Sequence, residues 1–523
     1  MKRGLSIVFA LILLIFPRMA ENSTPEGILP RLKLDIAVII EGLLSCYERG
    51  GEPRFLETAL RLSEIKTHPL FELEWGRHPG NATGERQLLL ASSRLRAVFR
   101  GGNCPPGESE RRLCRLAQDY IRVNDRSAAS ARMAALDFSA SSILEQLQKS
   151  LSPSQLLLKY IMLGDRVLLI FIGSGHAGFE FLAVGRAQLD AMVRQLCEPL
   201  EDFASGKVDY LRIHFDMALA NRLHNVLLRN VSLRFPHADD LLVIPDGSLY
   251  TLPFEALVTG FNGRLGQDDA LFSEYQAAEY VIQGYKVSYF FSFSDFLRRF
   301  QIRGDYPLAL AAFGHPLLPP SGQREALKGI ADIPSTRLEV QNLETLFSGQ
   351  PRRIFMGADF NWENFARFAP QAKLIHLASH FFGNGKDPSR SSFLFSASGG
   401  TPVFCEARQL FNLQLQAELM ILSACETSEK NLLGFRLLSG WTAAIRRAGV
   451  RNLIASLWPV DEFSSQVVPL FYRDFLGCGD SAAALRNSKL VLLNRTISLR
   501  GGMRMALAHP FLWANYVLYR FCR

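Results

Sequence analysis

Hydrophobic and polar residues alternate in two different patterns along the chain, and the pattern changes near residue 150. From Leu29 to Leu151, apolar residues recur at spacings of three and four, as at Phe55, Ala59 and Leu62. This spacing is typical of amphipathic helices, in which the apolar residues share one face. We therefore predict an all-helical domain over residues 21–150. Two arrangements stay open for it, a tetratricopeptide-like helical repeat and an irregular helical domain.

After Leu151, short continuous apolar runs alternate with segments of helical period. Such runs are typical of strands buried on both faces, and their alternation with helices is typical of a parallel sheet. The predicted strands are Val167–Ile172, Phe179–Val184, Leu241–Pro245, Leu308–Gly314, Lys373–Ser379, Glu418–Ala424 and Asn452–Trp458. The predicted helices are Thr336–Phe347, Phe435–Ala448, Phe463–Leu476 and Ser481–Leu493. We predict that residues 151–523 form an α/β domain with a mostly parallel sheet flanked by helices.

The first twenty residues have the pattern of a targeting segment. Two basic residues precede the apolar run Gly4–Phe16, whose 13 residues fall short of the roughly 20 that span a bilayer. A secretory signal peptide cleaved after Ala20 fits this pattern. Arg18 occupies a position where signal peptidases prefer a small residue, so an uncleaved anchor stays open. We expect the protein to be exported, to the periplasm, or to be membrane-associated through residues 4–16.

Composition narrows the classes of protein that fit. Apolar residues make up 48% of the 523 residues and charged residues 21%, which excludes a wholly disordered chain and a collagen-like fibre. Eight cysteines are too few for a disulfide scaffold. The net charge of +8 permits an anionic partner without indicating one. In the basic segment Ser481–Arg523 no pattern of aromatic residues suggests base stacking, so we expect a solvated basic face and no nucleic acid partner.

A glycine motif at Gly173–Gly178 matches the GxGxxG pattern of dinucleotide-binding proteins. That fingerprint requires a helix directly after it, because the pyrophosphate rests on the N-terminus of the helix. The segment that follows is Phe179–Val184, which has the pattern of a strand. We therefore interpret the motif as a glycine-rich hairpin, with His176 exposed in its turn.

Two of the predicted strands end in residues that can carry chemistry. The apolar run from Leu374 ends in His380, and the run from Leu419 ends in Cys425. In open parallel sheets, sites form outside the carboxyl ends of the strands. If the two strands are neighbours, the two residues meet there, and an imidazole can turn a cysteine thiol into the nucleophilic thiolate. His380 and Cys425 are therefore the candidate catalytic pair.

Residues around this pair suggest further roles. The backbone amides of Cys425 and of Phe381 or Gly383 could hold an oxyanion. His376 precedes His380 by four residues and lies nearer the middle of the strand, so we expect it to be buried and structural. A zinc site made by His376, His380 and Cys425 is disfavoured because no fourth ligand is evident. We predict no metal and no cofactor.

Asp461 follows the predicted strand Asn452–Trp458. It has two interpretations. It forms the floor of a substrate pocket that favours a basic side chain, or it caps the helix that starts near Phe463.

An ordered series of short motifs runs from Leu241 to the C-terminus. The motifs are Ile244–Leu249, Leu252–Leu257, Val287–Tyr289, Phe313–Pro316, His376–His380, Leu422–Thr427, Ala448–Val450, Ser456–Asp461, Phe471–Tyr472, Ala484–Arg486 and His509–Ala514. In number and order they resemble the CHAT domain, a caspase-like cysteine peptidase domain often found with tetratricopeptide repeats. The resemblance implies a caspase-like fold for residues 151–523 and a catalytic histidine and cysteine at His380 and Cys425.

The sequence departs from this family at Phe381. The family usually places glycine directly after the catalytic histidine, where its amide helps to hold the oxyanion. A phenylalanine restricts the backbone there, and we expect its side chain to crowd the site. Two functions therefore stay open. One is a cysteine endopeptidase acting on a protein or peptide substrate, with a regulatory partner bound by the N-terminal helical domain. The other is a catalytically weak or inactive scaffold for protein-protein interaction.

Overall fold

The structure is a computed structural model that describes most of the chain after residue 142. It describes scattered residues between 37 and 64 and the segments 143–204, 213–262, 269–298, 305–318, 333–384, 387–396, 403–426, 434–458, 460, 463–499 and 502–522. For residues 201–204, 424–426 and 434–439 the backbone alone is described. The predicted targeting segment 1–20, Asp461 and most of the predicted helical domain 21–150 lie outside the described residues.

The chain divides into two compact units. The smaller comprises residues 1–150, 161–166 and 292–294, and the larger comprises residues 151–160, 167–291 and 295–523. Within the smaller unit, the described residues between 37 and 64 are helical. The Glu57 carboxylate there accepts hydrogen bonds from the backbone N–H groups of Ile143 and Leu144 at 2.9 and 3.3 Å. These donors belong to the first turn of a helix, where no backbone acceptor is available.

Twelve α-helices have both ends within the described residues. They are α1 (Ile143–Ser150), α2 (Arg186–Ala204), α3 (Met217–Leu227), α4 (Arg229–Arg234), α5 (Val281–Gly284), α6 (Phe293–Leu297), α7 (Pro334–Leu346), α8 (Trp362–Phe368), α9 (Gly434–Arg447), α10 (Val467–Cys478), α11 (Ser481–Leu493) and α12 (Pro510–Trp513). All four helices predicted from the sequence are present, although the third starts as a short 3₁₀ turn at Ser464–Gln466. Among the described residues, no helix has both the length and the apolar character needed to cross a membrane.

The described strands number seventeen. They are β1 (Gln155–Leu163), β2 (Arg166–Ile172), β3 (Ala177–Gly185), β4 (Asp240–Ile244), β5 (Val258–Phe261), β6 (Ala278–Tyr280), β7 (Lys286–Tyr289), β8 (Leu308–Pro316), β9 (Arg352–Gly357), β10 (Ala372–Phe382), β11 (Ser392–Phe395), β12 (Val403–Glu406), β13 (Leu419–Glu426), β14 (Asn452–Ser456), β15 (Thr496–Ser498), β16 (Arg504–Ala506) and β17 (Tyr516–Arg520). Each of the seven strands predicted from apolar runs is present.

Thirteen of the described strands form one central sheet. Its main order is β12-β11-β10-β13-β14-β17-β7-β4-β1-β2-β3, and β8 pairs with both β10 and β9. The pairs β8–β9, β8–β10, β10–β13, β13–β14, β17–β7, β4–β7 and β1–β4 are parallel. The pairs β10–β11, β11–β12 and β14–β17 are antiparallel. The predicted α/β class with a mostly parallel sheet is confirmed.

The glycine motif at residues 173–178 forms the predicted hairpin. Gly173 donates its backbone N–H to the carbonyl of His176 at 2.8 Å, and β3 starts at the next residue. His176 is exposed, as expected. A Cβ on Gly178 would lie 2.7 Å from the ring of Phe171. The glycine is therefore needed for close packing of the hairpin, and a strand follows it instead of the helix that a nucleotide site requires.

Candidate active site

Strands β10 and β13 lie side by side and run parallel, which is the condition under which His380 and Cys425 were expected to meet. Their register aligns eight consecutive pairs, from Leu374 with Leu419 to Phe381 with Glu426. His380 is aligned with Cys425 in this register. Neighbouring strands are about 4.8 Å apart, so the backbones of the two residues lie at one level of the sheet. Both strands continue past the pair, to Phe382 and to Glu426.

The other side of β10 changes its neighbour just before His380. Strand β8 pairs with β10 as far as Ala378, and β11 pairs with Phe381 and Phe382. Between them, the Ser379 hydroxyl donates a 2.6 Å hydrogen bond to the backbone carbonyl of Leu394 on β11. The backbone around His380 is thus held on both sides, by β13 along its length and by β11 at its end.

His380 is buried, with 3% of its surface exposed. Side chains of a strand alternate between the two faces of the sheet. His380 therefore shares a face with His376 and lies on the opposite face from Phe381. The role of His380 and Cys425 as a catalytic pair stays a prediction, because the side chain of Cys425 lies outside the described residues.

The Phe381 side chain packs in the core on the opposite face from His380. Its ring centroid lies 5.1 Å from that of Phe393 on β11, and Phe393 lies 4.6 Å from Trp441 on α9. Phe381 is 2% exposed. The structure therefore differs from the expectation that this ring crowds the site, because the pleat of β10 turns adjacent side chains to opposite faces.

The backbone of Phe381 is part of the sheet. Phe381 is aligned with Glu426 on one side and with Phe393 on the other. A backbone N–H inside a sheet lies in the plane of the strands, towards a neighbouring strand. Gly383 is the first residue after β10. The role of the Phe381 or Gly383 amide, beside that of Cys425, in holding an oxyanion stays a prediction.

The segment after β10 is held against α9. Asn384 donates its backbone N–H to the Ser391 hydroxyl at 2.9 Å, and the indole of Trp441 donates to the Ser391 carbonyl at 2.9 Å. At Gly440 the helix approaches so closely that a Cβ would lie 1.8 Å from the Pro388 carbonyl oxygen. The glycine therefore permits α9, which follows the segment after Cys425, to contact the segment after His380.

A chain of buried polar side chains lies on the face of the sheet that carries His380. Nε2 of His376 lies 3.1 Å from Oε1 of Glu339, and the Ser423 hydroxyl donates to Oε2 of Glu339 at 3.1 Å. The Ser423 and Tyr516 hydroxyls are 2.9 Å apart, and the Tyr472 hydroxyl lies 3.5 Å from Nδ1 of His376. Burial raises the pKa of Tyr472 well above its usual value, and the charge of Glu339 raises it further. His376 is buried, as predicted.

Other members of this network escaped the sequence analysis. Glu339 lies on α7, 84 residues before Ser423. The neighbouring residues in the sequence show no pattern that predicts its burial. Ser423 carries a signal that could have been used, because it precedes Cys425 by two residues and so shares its position in the alternation of β13. The same spacing argument pointed to His376.

Buried thiols elsewhere are poor nucleophiles. Burial raises the pKa of the Cys405 thiol well above its usual value, and the negative charge of Glu406 raises it further. Burial also raises the pKa of Cys522 to about 11. A raised pKa lowers the thiolate fraction at neutral pH. Cys478, by contrast, is exposed and free on α10.

The basic segment near the C-terminus is only partly solvated. Lys489 on α11 is 1% exposed, and its Nζ lies 3.0 Å from Oε1 of Glu255. The Tyr289 hydroxyl donates to the other oxygen of Glu255 at 2.5 Å. Burial lowers the pKa of Lys489, and the carboxylate of Glu255 opposes that shift. The predicted solvated face is therefore wrong for Lys489, which is a core residue with a buried partner.

A mostly parallel sheet with histidine and cysteine aligned on neighbouring central strands defines the class of this protein, an α/β protein with a candidate site at the strand ends. The family model described as CHAT domain matches residues 217–520, more than half of the chain. The chain belongs to the CHAT domain family, as the motifs indicated. Membership of this family supports a caspase-like fold.

Two crystal structures of the Saccharomyces cerevisiae separase–securin complex are similar to the chain. The first, at 2.6 Å resolution, has a TM-score of 0.43 and 9% identity, over 95% of this chain and 40% of that chain. The second, at 3.0 Å, has a TM-score of 0.44 and 11% identity, over 89% and 34%. The present chain thus spans well under half the length of those chains. No curated protein matches the sequence.

Proposed function

We propose that the protein is a cysteine endopeptidase that cleaves a protein or peptide substrate with His380 and Cys425. The observation that carries the proposal is the register of β10 and β13, which aligns these two residues at one level of the sheet. The second support is membership of the CHAT domain family. The range matched by the family model, residues 217–520, includes both residues.

The proposed reaction is acyl transfer through a thioester. His380 takes the proton of the Cys425 thiol, and the thiolate attacks the carbonyl carbon of the scissile peptide bond. The oxyanion is held by the backbone amides of Cys425 and Gly383. Collapse of this intermediate breaks the C–N bond, and His380 gives its proton to the leaving amine. Water, deprotonated by His380, then attacks the thioester, releasing a carboxylate product and the free thiol.

Replacement of each residue of the pair tests the proposal. Cys425→Ala removes the only sulfur that can form the thioester, so we expect turnover to vanish while the protein stays folded. His380→Ala removes the proton acceptor, so we expect a loss of about 10²–10⁴-fold in kcat. Turnover is measured by mass spectrometry of a diverse peptide library, and circular dichroism checks the fold. Cys478→Ala, at an exposed free cysteine, is the matched control and should keep full activity.

A scaffold without catalysis is the second candidate function. The observation that favours it is Phe381, which has sheet neighbours on both sides of its backbone where the family usually places a glycine after the catalytic histidine. A thiol-directed acyloxymethyl ketone probe separates the two functions. Labelling of Cys425 in the wild type, lost in His380→Ala, supports the peptidase. A folded wild type that is neither labelled nor active, or a Cys425→Ala protein that still cleaves peptides, would exclude the covalent mechanism.

A further inference from the structure

We propose that Glu339 is a positioning residue for the candidate pair. Through His376 and Ser423 it joins α7 to both β10 and β13, on the face of the sheet that carries His380. This proposal rests on the proposed function, because it assigns a task to Glu339 in the same site. It adds a residue that lies far from the pair in sequence and takes part in no step of the proposed reaction.

The contacts of Glu339 link the two strands directly. One carboxylate oxygen lies 3.1 Å from Nε2 of His376 on β10, and the other accepts a 3.1 Å hydrogen bond from Ser423 on β13. His376 precedes His380 by four residues, and Ser423 precedes Cys425 by two. At about 3.3 Å per residue, the carboxylate contacts the strands roughly 7–13 Å below the pair. A single side chain therefore bridges the two strands just below the site, in addition to their backbone pairing.

Helix α7 is also fixed to the next strand, β8. The Thr336 hydroxyl accepts a 3.2 Å hydrogen bond from the backbone N–H of His315. At Gly314 a Cβ would lie 2.5 Å from a methyl carbon of Val340 on the helix. Three neighbouring strands of the sheet thus contact one turn of α7 and its flanks, and Glu339 lies in that region. The helix cannot shift without moving strands that end at the candidate site.

Burial makes this arrangement specific. Glu339 is 4% exposed, His376 0% and Ser423 3%. A buried carboxylate is unfavourable unless charged or polar groups surround it, so the side chains that contact Glu339 are confined to one geometry. A misplacement of about 1 Å in a catalytic group can cost about 10²-fold in rate. We therefore expect loss of this carboxylate to lower the rate of the chemical step.

The test compares Glu339→Gln with Glu344→Gln. Both replace one glutamate of α7 by its amide, but Glu344 is exposed. Peptide turnover gives kcat and KM, and kcat is divided by the number of Cys425 thiols titrated with the acyloxymethyl ketone probe. This correction removes any loss that arises only from unfolded molecules. We expect Glu339→Gln to lower the corrected kcat by about tenfold or more, with KM within about twofold, and Glu344→Gln to match the wild type.

Alkylation by iodoacetamide provides a readout that does not require peptide cleavage. Peptide mass spectrometry gives the rate at Cys425 relative to the exposed thiol of Cys478 in the same molecule. We expect this ratio to fall in Glu339→Gln. Ser423→Ala, which removes only the contact on β13, should lower both readouts by a smaller factor and serves if Glu339→Gln does not fold.

The outcomes separate this proposal from the proposed function. Absence of turnover in a folded wild type contradicts the peptidase, and the alkylation ratio then decides the role of Glu339. An active wild type with unchanged corrected kcat and alkylation ratio in Glu339→Gln overturns the positioning role alone. If Glu339→Gln fails to fold, an unchanged corrected kcat and alkylation ratio in Ser423→Ala overturn the positioning role instead.

Discussion

Phe381 follows His380 directly, and the two side chains leave β10 on opposite faces. The ring of Phe381 is 5.1 Å from the ring of Phe393 and is buried. Aromatic pairs at such distances add to the stability gained by burial alone. The residue that departs from the family pattern thus contributes to the core under α9, and any effect on the candidate site acts through its backbone.

Replacing Phe381 by glycine is therefore expected to destabilise the protein without raising its activity. Loss of a buried phenylalanine costs about 3–5 kcal/mol, and a glycine in a strand adds conformational entropy to the unfolded chain. Urea denaturation measures the stability of the variant, and kcat of the folded fraction measures its activity. Phe381→Leu, which keeps most of the volume, should lose clearly less stability. A Phe381→Gly protein as stable as the wild type and faster in turnover would show that the ring does crowd the site.

At the scale of single residues, the sequence predicted what depends on period and position in a strand. The places of His380 and Cys425 near the ends of two strands followed from two apolar runs that end in reactive residues, and the burial of His376 followed from its spacing. The alignment of His380 with Cys425 required the two strands to be neighbours, which the sequence left as a condition. The environment of Phe381 was not predictable in the same way. It depends on β11, whose four residues carry no pattern that identifies their partner, and on Trp441 from a helix about 60 residues away.

Helix α9 packs closely against the turn that follows β10, next to the candidate site. Its Gly440 lies against the backbone of the Pro388–Arg390 turn, which follows β10, and a Cβ there would lie 1.8 Å from the Pro388 oxygen and 2.9 Å from the Ser389 nitrogen. Both atoms belong to the backbone, so neither can rotate away. The spacing between α9 and this turn is therefore set by the absence of a side chain.

We expect Gly440→Ala to force the helix and the turn apart. Overpacking in a closely packed region typically costs about 1–3 kcal/mol, and with two backbone atoms in the way we expect the upper end of that range, with a lower kcat. Gly477→Ala is the matched control, since that glycine lies in α10 with open space around its Cβ position. It should raise stability by up to about 1 kcal/mol. Equal unfolding midpoints for the two variants would contradict the packing argument.

At the scale of elements, continuous apolar runs were the reliable signal. The seven runs that were predicted as strands are all strands. Burial on both faces accounts for the apolar pattern of most of them, although β3 is only partly buried. The strands that escaped prediction include β7, β11 and β12, which have only four residues each. Such short segments become strands only because a longer strand lies beside them, and that neighbour cannot be read from the local sequence.

Buried charges connect parts of the larger unit that are distant in sequence. Lys489 pairs with Glu255 across 234 residues, and Arg446 with Asp295 across 151. Their side chains are 15% exposed or less. Removing one member of a buried pair leaves an unpaired charge and costs more than the pair contributes. Such pairs were invisible to the sequence analysis, since the charge pattern of α11 alone suggests a solvated face.

The stability of the whole molecule is expected to decrease as the pH is lowered, because His509 is buried in its neutral form. This residue is buried among the rings of Tyr275, Phe272 and Phe215, and its Nδ1 accepts a 3.1 Å hydrogen bond from the backbone N–H of Phe511. Burial, and secondly the charge of His214, lower its pKa to about 3. In the unfolded chain a histidine titrates near about 6.5. Below that pH the unfolded state binds a proton at His509 and the folded state does not. The stability present above about pH 6.5 is therefore lost progressively as the pH falls towards 3.

His509→Asn tests this dependence, because asparagine can also accept the Phe511 hydrogen bond but does not titrate. The variant should be less stable at neutral pH and should lose less stability on acidification. Between pH 7 and pH 5, urea unfolding should show the wild type losing about 2 kcal/mol more than the variant. All other histidines are shared by the two proteins, and those that do not interact with His509 contribute equally to both profiles. Parallel pH profiles would mean that His509 is protonated in the folded state or that the unfolding transition does not expose it.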